Sequence, residues 1–255
     1  MSALFPLRSA TGRTRHWSGC PAGTAQRRNI LHRNTFGERG FQETFICSFC
    51  AHGAQSYEAK HGLLSQWRGY GTDGGVAIVL CTYGIEERME HEESVFAHPV
   101  NHIGDVKYDD DDTGIEEAFC KVFKHFREIL NALYAGQEPG YKKIFKHFVH
   151  GSTLVKHHGF REENEVRIVV SPRPTNPDSF FYNCADVSKP RKAIRYRRRG
   201  DSEVRYIELF GEAPLPIKRI IVGPSRIQNL NYQTISDLVT GSGIEVVKSE
   251  IPFLG

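Results

Sequence analysis

Nowhere in the 255 residues does an apolar run approach the 18 consecutive residues of a membrane span, which excludes a transmembrane helix. With 24 glycines and 12 prolines, a collagen-like or low-complexity chain is excluded too. The first 37 residues contain no carboxylate, and they lack the 7–15-residue apolar centre that a secretory signal needs. What remains is 39% apolar and 25% charged, a composition that can bury a sizeable core. Lys+Arg 33 against Asp+Glu 30 gives a net charge of +3, too small to mark a nucleic-acid coat or a membrane-surface protein.

That charge is unevenly spread. Residues 1–37 hold Arg8, Arg13, Arg15, Arg27, Arg28 and Arg33 and no acid, so residues 38–255 carry 27 basic and 30 acidic side chains, a net of −3. The leader is rich in Ser, Thr, Gly and Arg and has no apolar periodicity to offset the entropy of ordering it. It reads as a disordered tail over 1–37, with a single domain over 38–255. Six scattered cysteines and no export signal fit reduced thiols and a cytoplasmic location. Cys47 and Cys50 form the only tight pair; in a strand they face opposite sides, and no second CxxC completes a zinc site. No metal is expected.

Glu43–Phe49 reads as a strand, and Leu63, Leu64, Trp67 and Tyr70 share a helical face. Val76–Cys81 is a near-continuous apolar run, the signature of a strand covered on both sides. A short acidic helix follows at 86–93, then a strand at 103–108 ending in the acidic run Asp109–Asp112, which reads as a solvated loop supplying charge to the next helix. Thr113-Gly-Ile-Glu116 is a capping box, and Ile115, Phe119, Val122, Phe123, Phe126, Leu130 and Leu133 continue at helical steps to Gly136. A second amphipathic helix over 139–150 completes a helical hairpin, with His125, His147 and His150 on its polar or boundary surfaces. Beyond Phe160 come strands at 165–171, 193–197, 204–210 and 217–222, a helix over 229–240 and a last strand at 244–248. Without a βαβ rhythm, this order predicts one α+β domain: a mixed, largely antiparallel sheet with a central helical hairpin and a C-terminal helix.

Chemistry concentrates in Lys156-His-His-Gly-Phe-Arg-Glu-Glu-Asn-Glu-Val-Arg167. If the strand begins at Glu163, then Glu163, Glu165 and Arg167 share one face at about 7 Å steps. The guanidinium keeps those acids ionised, suited to accepting hydrogen bonds or stabilising positive charge and unsuited to donating protons. Ser48 lies on the early strand; Trp67, Arg68 and Tyr70 could stack on a nucleobase. Arg191, Lys192, Arg195, Arg197, Arg198 and Arg199 form a basic run that could bind phosphate or nucleic acid. There is no GxSxG elbow, Walker loop or RNA-binding aromatic signature.

Nine short motifs occur in order: Phe45-Ile-Cys-Ser-Phe49, Leu63-Leu-Ser-Gln-Trp-Arg-Gly-Tyr70, Gly74-Gly-Val-Ala-Ile78, Val106-Lys-Tyr108, Lys156 to Phe160, Glu162 to Ile168, Tyr206-Ile-Glu-Leu209, Ile220-Ile-Val-Gly-Pro224 and Ser249-Glu-Ile-Pro-Phe253. From about residue 43 onward this succession resembles the bacterial domain-of-unknown-function family 2971. The resemblance implies an identity without an activity. Members usually carry a Tyr-Arg or Tyr-Lys strand and an Asn-Asp-Pro turn upstream; residues 1–42 show neither, so the tail replaces a piece of the domain. The pattern is also similar to that of ADP-ribosyltransferases, with Ser48 on the serine strand and Glu163-Asn-Glu165 as the late Glu-x-Glu. That likeness implies NAD or a related nucleotide as substrate, Glu165, Glu163 and Arg167 as catalytic groups, and Ser48, Trp67, Arg68 and Tyr70 as nucleotide-binding groups. The alternatives are a non-catalytic module that binds nucleic acid through the basic run, or an incomplete, inactive copy.

Overall fold

The computed structural model of the chain describes residues 2–4, 43–71, 74–109, 112–137, 141–177, 179, 182–211 and 213–252. Its centre is a seven-stranded sheet in the order β11-β10-β3-β1-β2-β7-β4. The strands are β1 (Ser2–Leu4), β2 (Phe45–His52), β3 (Val76–Cys81), β4 (Val100–Asp105), β7 (Glu165–Ser171), β10 (Ile217–Val222) and β11 (Glu245–Lys248). All neighbours are antiparallel except β10 and β11. The architecture is the α+β domain expected from the sequence, with a mostly antiparallel mixed sheet.

Ser2–Leu4 fall within the segment expected to be a tail, yet they pair with both β2 and β3. The physical reason is an edge: β2 and β3 each present a free row of backbone donors and acceptors, and an extended three-residue piece satisfies both rows. The rest of that tail lies outside the described residues.

Side chains alternate across the sheet, so each strand feeds two cores. On one face Ile168, Val170, Phe49 and Leu80 pack with Ile85 and Met89 of α3 (Thr82–Val95). Helix α3 is longer than the 86–93 expected, because its start follows β3 directly, with no turn residue between. On the other face two clusters form. Cys50, Ala77, Val79 and Ile221 pack around Trp67 of α2 (Leu64–Tyr70), which follows α1 (Tyr57–His61). Val100, Val169 and Ile46 pack with Val149 of α5 (Tyr141–Thr153).

Helix α4 (Asp112–Tyr134) lies against α5, giving the expected hairpin. The two helices come close at Gly151, where a Cβ would stand 2.9 Å from the Ala118 carbonyl oxygen and from the Phe119 ring. The Phe119 and Phe148 rings meet edge-on and those of His125 and His147 stack. Two short strands, β5 (Lys107–Tyr108) and β6 (Val155–Lys156), pair beside the hairpin. The strand expected at 103–108 is thus split: β4 ends at Asp105, and β5 turns to pair with β6. A separate ribbon joins β8 (Arg195–Arg199) to β9 (Ser202–Tyr206). Helix α6 (Gln228–Leu238) connects β10 to β11.

Candidate functional site

Ser48, Glu165 and Arg167 lie on the sheet face that carries the hairpin, because β2 and β7 pair with Ser48 opposite Arg167 and Cys50 opposite Glu165. Glu163 does not join them on the strand. Residues 158–163 form a 3-10 turn, Asn164 takes a left-handed conformation with φ 42°, and β7 begins only at Glu165. The expectation of a three-residue strand ladder is therefore corrected. Asn164 is a residue type that tolerates this region, and its backbone and side chain both bond to Ala51 of β2, which holds the corner.

The corner still brings the charges together. Lys156, the last residue of β6, donates to Glu163 Oε2 at 2.7 Å and to Glu165 Oε2 at 2.8 Å. Arg167 Nε donates to Glu165 Oε1 at 2.8 Å, and its Nη1 reaches the Thr153 carbonyl at the end of α5. The Ser48 hydroxyl also favours the charged form of the Glu165 carboxylate, and the Glu165 backbone N–H donates to the Tyr108 hydroxyl at 2.8 Å. Glu165 itself is 4% exposed. Burial alone pushes its carboxyl pKa up, but the bonds from Arg167, Lys156 and Ser48 outweigh it and hold the group below its ordinary value. Lys156 is the counterpart: burial works against its charge, and the two glutamates more than restore it. The cluster is an ionised, bonded carboxylate set into the protein, as the chemistry of the segment suggested, although Lys156 was not among the residues singled out. Its signal was its place at the head of the same polar segment.

The other expected residues divide. Trp67 is 7% exposed, donates its Nε1–H to the His61 carbonyl and is packed so closely that a Cβ on Gly62 or Gly223 would stand 2.7 Å from its ring. Its faces are used by the core. Arg68 and Tyr70 of the same helix are exposed. Gly69-Tyr-Gly-Thr-Asp-Gly74 matches a G-x-G-x-x-G spacing, which corrects the sequence reading that no such motif is present, but it runs from a helix into a strand, the reverse of the order that presents a helix N-terminus to a dinucleotide.

In the basic run, Lys192 is buried, 2.9 Å from Glu92 Oε2 and 4.0 Å from the Phe96 ring centroid. With His98 on the other Glu92 oxygen at 3.1 Å, it forms an internal polar anchor that removes it from any surface. Arg191 bonds the Arg173 carbonyl and approaches Glu43. Arg195, Arg197, Arg198 and Arg199 are exposed on β8.

Cys47 and Cys50 face opposite sides of the sheet, in the cores of α3 and α2 respectively. Burial pushes both thiols up to about 12. Among the described residues, one group of three could offer metal ligands: Asp109, His157 and His158, with donor atoms within 4.8 Å of one another. Two of those ligand atoms are already engaged by backbone. Asp109 Oδ1 accepts from the His158 N–H and His157 Nδ1 from the Gly159 N–H, which caps the 3-10 turn. Asp110 and Asp111 of the acidic run lie outside the described residues. A cavity of about 310 Å³ lined by Gly84, Glu87, Arg88, His91, Phe210 and Pro216 sits on the α3 side, away from Glu165. Among the described residues, no helix is long and apolar enough to cross a membrane.

No curated protein and no solved structure matches the chain. The model of the family described as "Protein of unknown function (DUF2971)" matches residues 66–168, from within α2 to the middle of β7. The span takes in Lys156, Glu163, Glu165 and Arg167, and the matching model is that of the family which the ordered motifs resemble.

Proposed function

We propose that the chain is an enzyme that binds NAD or a related nucleotide and transfers or cleaves its ADP-ribose at the cluster around Glu165. The observation that carries this reading is a buried glutamate bonded by Arg167 and Lys156, with Ser48 on the neighbouring strand opposite Arg167. As the bond from ribose C1′ to the pyridinium nitrogen breaks, its electron pair leaves with neutral nicotinamide and positive charge passes to the ribose. A fixed carboxylate in poorly hydrated surroundings stabilises that charge as it develops. An oxygen from water or an acceptor then bonds C1′ and releases its proton. Lys156 now occupies the side of the carboxylates that a ribose hydroxyl would take, so substrate entry displaces the ammonium. Arg68 and Tyr70, exposed on α2, serve the phosphates and the base; Trp67, inside the core, does not.

Incubation of labelled NAD with the chain and with Glu165→Gln tests the reading through nicotinamide release. Expected is turnover above background that falls roughly 100-fold or more in the variant, the scale for losing one transition-state contact. Equal background in both removes the activity.

A second reading rests on Arg195, Arg197, Arg198 and Arg199, which stand exposed together with Tyr196 on a two-stranded ribbon. Such a ribbon could hold a nucleic-acid backbone. Retention on single-stranded DNA or RNA that weakens with salt, and whose salt slope drops when Arg197, Arg198 and Arg199 become Ser, favours it; retention unchanged by those substitutions excludes it.

A further inference from the structure

Helix α4 carries two apolar seams. Ala118, Val122, His125, Ile129 and Ala132 follow one another at 4-3-4-3 spacing and are turned inward, where His125 stacks on His147 of α5. Beside them, about one residue around the helix, runs a second seam of Ile115, Phe119, Phe123, Phe126, Leu130 and Tyr134, with Leu133 at its edge. At 100° per residue it spans an arc of about 100°, the width of a face that normally meets a partner. Phe119 is half-buried against α5, and the rest of the seam meets solvent: Phe123 is 63% exposed, Phe126 53% and Tyr134 91%. Phe148 of α5 extends the patch.

We propose that this seam is a homodimer interface, in which α4 of a second copy lies antiparallel across it about a two-fold axis between Phe123 and Phe126. The spacing identifies the occupant. The steps 4-4-3-4-4 read the same in both directions, so a reversed copy is complementary to the original: Phe123 faces the partner's Phe126, Phe119 the partner's Leu130 and Ile115 the partner's Tyr134. That reciprocity is what a two-fold interface requires.

Area agrees with it. At about 200 Å² per large apolar side chain, the exposed fractions of Ile115, Phe123, Phe126, Leu130, Leu133, Tyr134 and Phe148 amount to roughly 750 Å², close to the ~800 Å² per partner of a standard specific interface. No charged residue interrupts the seam. Glu116 stands at the rim of the arc, and Lys124, Arg127 and Glu128 lie beyond it, so both signs are represented, unlike the predominantly basic flank of a helix that lies on a membrane.

Sedimentation velocity on the full chain across a dilution series tests the proposal. The expected species is twice the 28.9 kDa chain mass, dissociating on dilution. Phe123→Glu and Phe126→Glu, both at exposed positions, should give monomers with unchanged far-ultraviolet circular dichroism. In a Cys120→Ser background, oxidising an equimolar mixture of Phe123→Cys and Phe126→Cys chains should give covalent dimer well above the parent. A wild-type chain that stays monomeric at high micromolar concentration overturns the proposal. So does a dimer that survives both glutamates or fails to cross-link. Wild-type monomer that co-sediments with phosphatidylglycerol vesicles through Phe123 assigns the seam to lipid and overturns it as well.

Discussion

Lys156 Nζ lies 2.8 Å from Glu165 Oε2, joining the end of a two-residue strand beside the hairpin to the first residue of an interior strand of the main sheet. Glu165 also carries Arg167 and Ser48, so its negative charge balances several groups at once. Glu165→Gln keeps the shape and removes the charge, leaving Arg167 without its carboxylate and Lys156 with Glu163 alone. The expected loss is about 3 kcal/mol of unfolding free energy, the scale for breaking a buried pair. Lys156→Met should cost less, because Arg167 still neutralises Glu165. Urea titrations of the two variants give the comparison; equal or reversed losses contradict it.

His102 of β4 faces His150 of α5 with ring centroids 4.4 Å apart, and neither ring nitrogen of His102 has a hydrogen-bond partner among the described residues. Burial, then the neighbouring His150 and Lys146, lower its pKa to about 4. His147 and His150 are lowered as well, both by burial first. The unfolded chain therefore binds protons that the folded one refuses, and stability falls as pH drops from 6.5 towards 4. After allowance for solvent around a partly exposed ring, the His102 share is roughly 1 kcal/mol at pH 5. His102→Phe should flatten the profile of stability against pH in that window; an unchanged slope would assign the acid sensitivity elsewhere.

Thiol reactivity should separate the cysteines. Cys81 and Cys120 are exposed, whereas Cys47 and Cys50 are held near 12 by burial. At pH 8 a chromogenic disulfide reagent should modify Cys81 and Cys120 in the native chain and reach Cys47 and Cys50 only on unfolding. Peptide mapping of the modified sites checks this, and early labelling of Cys50 would contradict the packing around Trp67.

Gly223, just past β10, is close to Trp67 on one side and to backbone on the other. A Cβ there would stand 2.7 Å from the indole and 2.9 Å from the Gly75 carbonyl oxygen. Gly223→Ala should cost roughly 1–3 kcal/mol through overpacking and change the tryptophan emission. Thermal unfolding followed by fluorescence measures both, and a neutral result would mean that α2 shifts freely.

Much of this architecture could be read from residue order. The apolar run Val76–Cys81 does form an interior strand, paired on both sides, and the amphipathic stretches after Thr113 do form a hairpin. Those signals are local and periodic. The misses came where tertiary context decides. Nothing local marks Ser2–Leu4 as a strand, since only the gap between β2 and β3 gives it partners. Lys192 looked like one cation among six until Glu92, 100 residues away, drew it inside. Glu163 and Glu165 were legible as chemistry but not as geometry, because the alternation rule presumes an extended backbone at Asn164.

The left-handed turn at Asn164 has a reach beyond its own residue. Along an unbroken strand, carboxylates two positions apart stand like teeth on a comb, about 7 Å apart at their roots. Reversing the handedness of the residue between them folds the comb into pincers around Lys156. How Glu163 approaches Lys156 is thus set by one torsion at an uncharged position. A β-branched replacement there, such as Asn164→Val, would open the pincers while leaving every ionisable group in place.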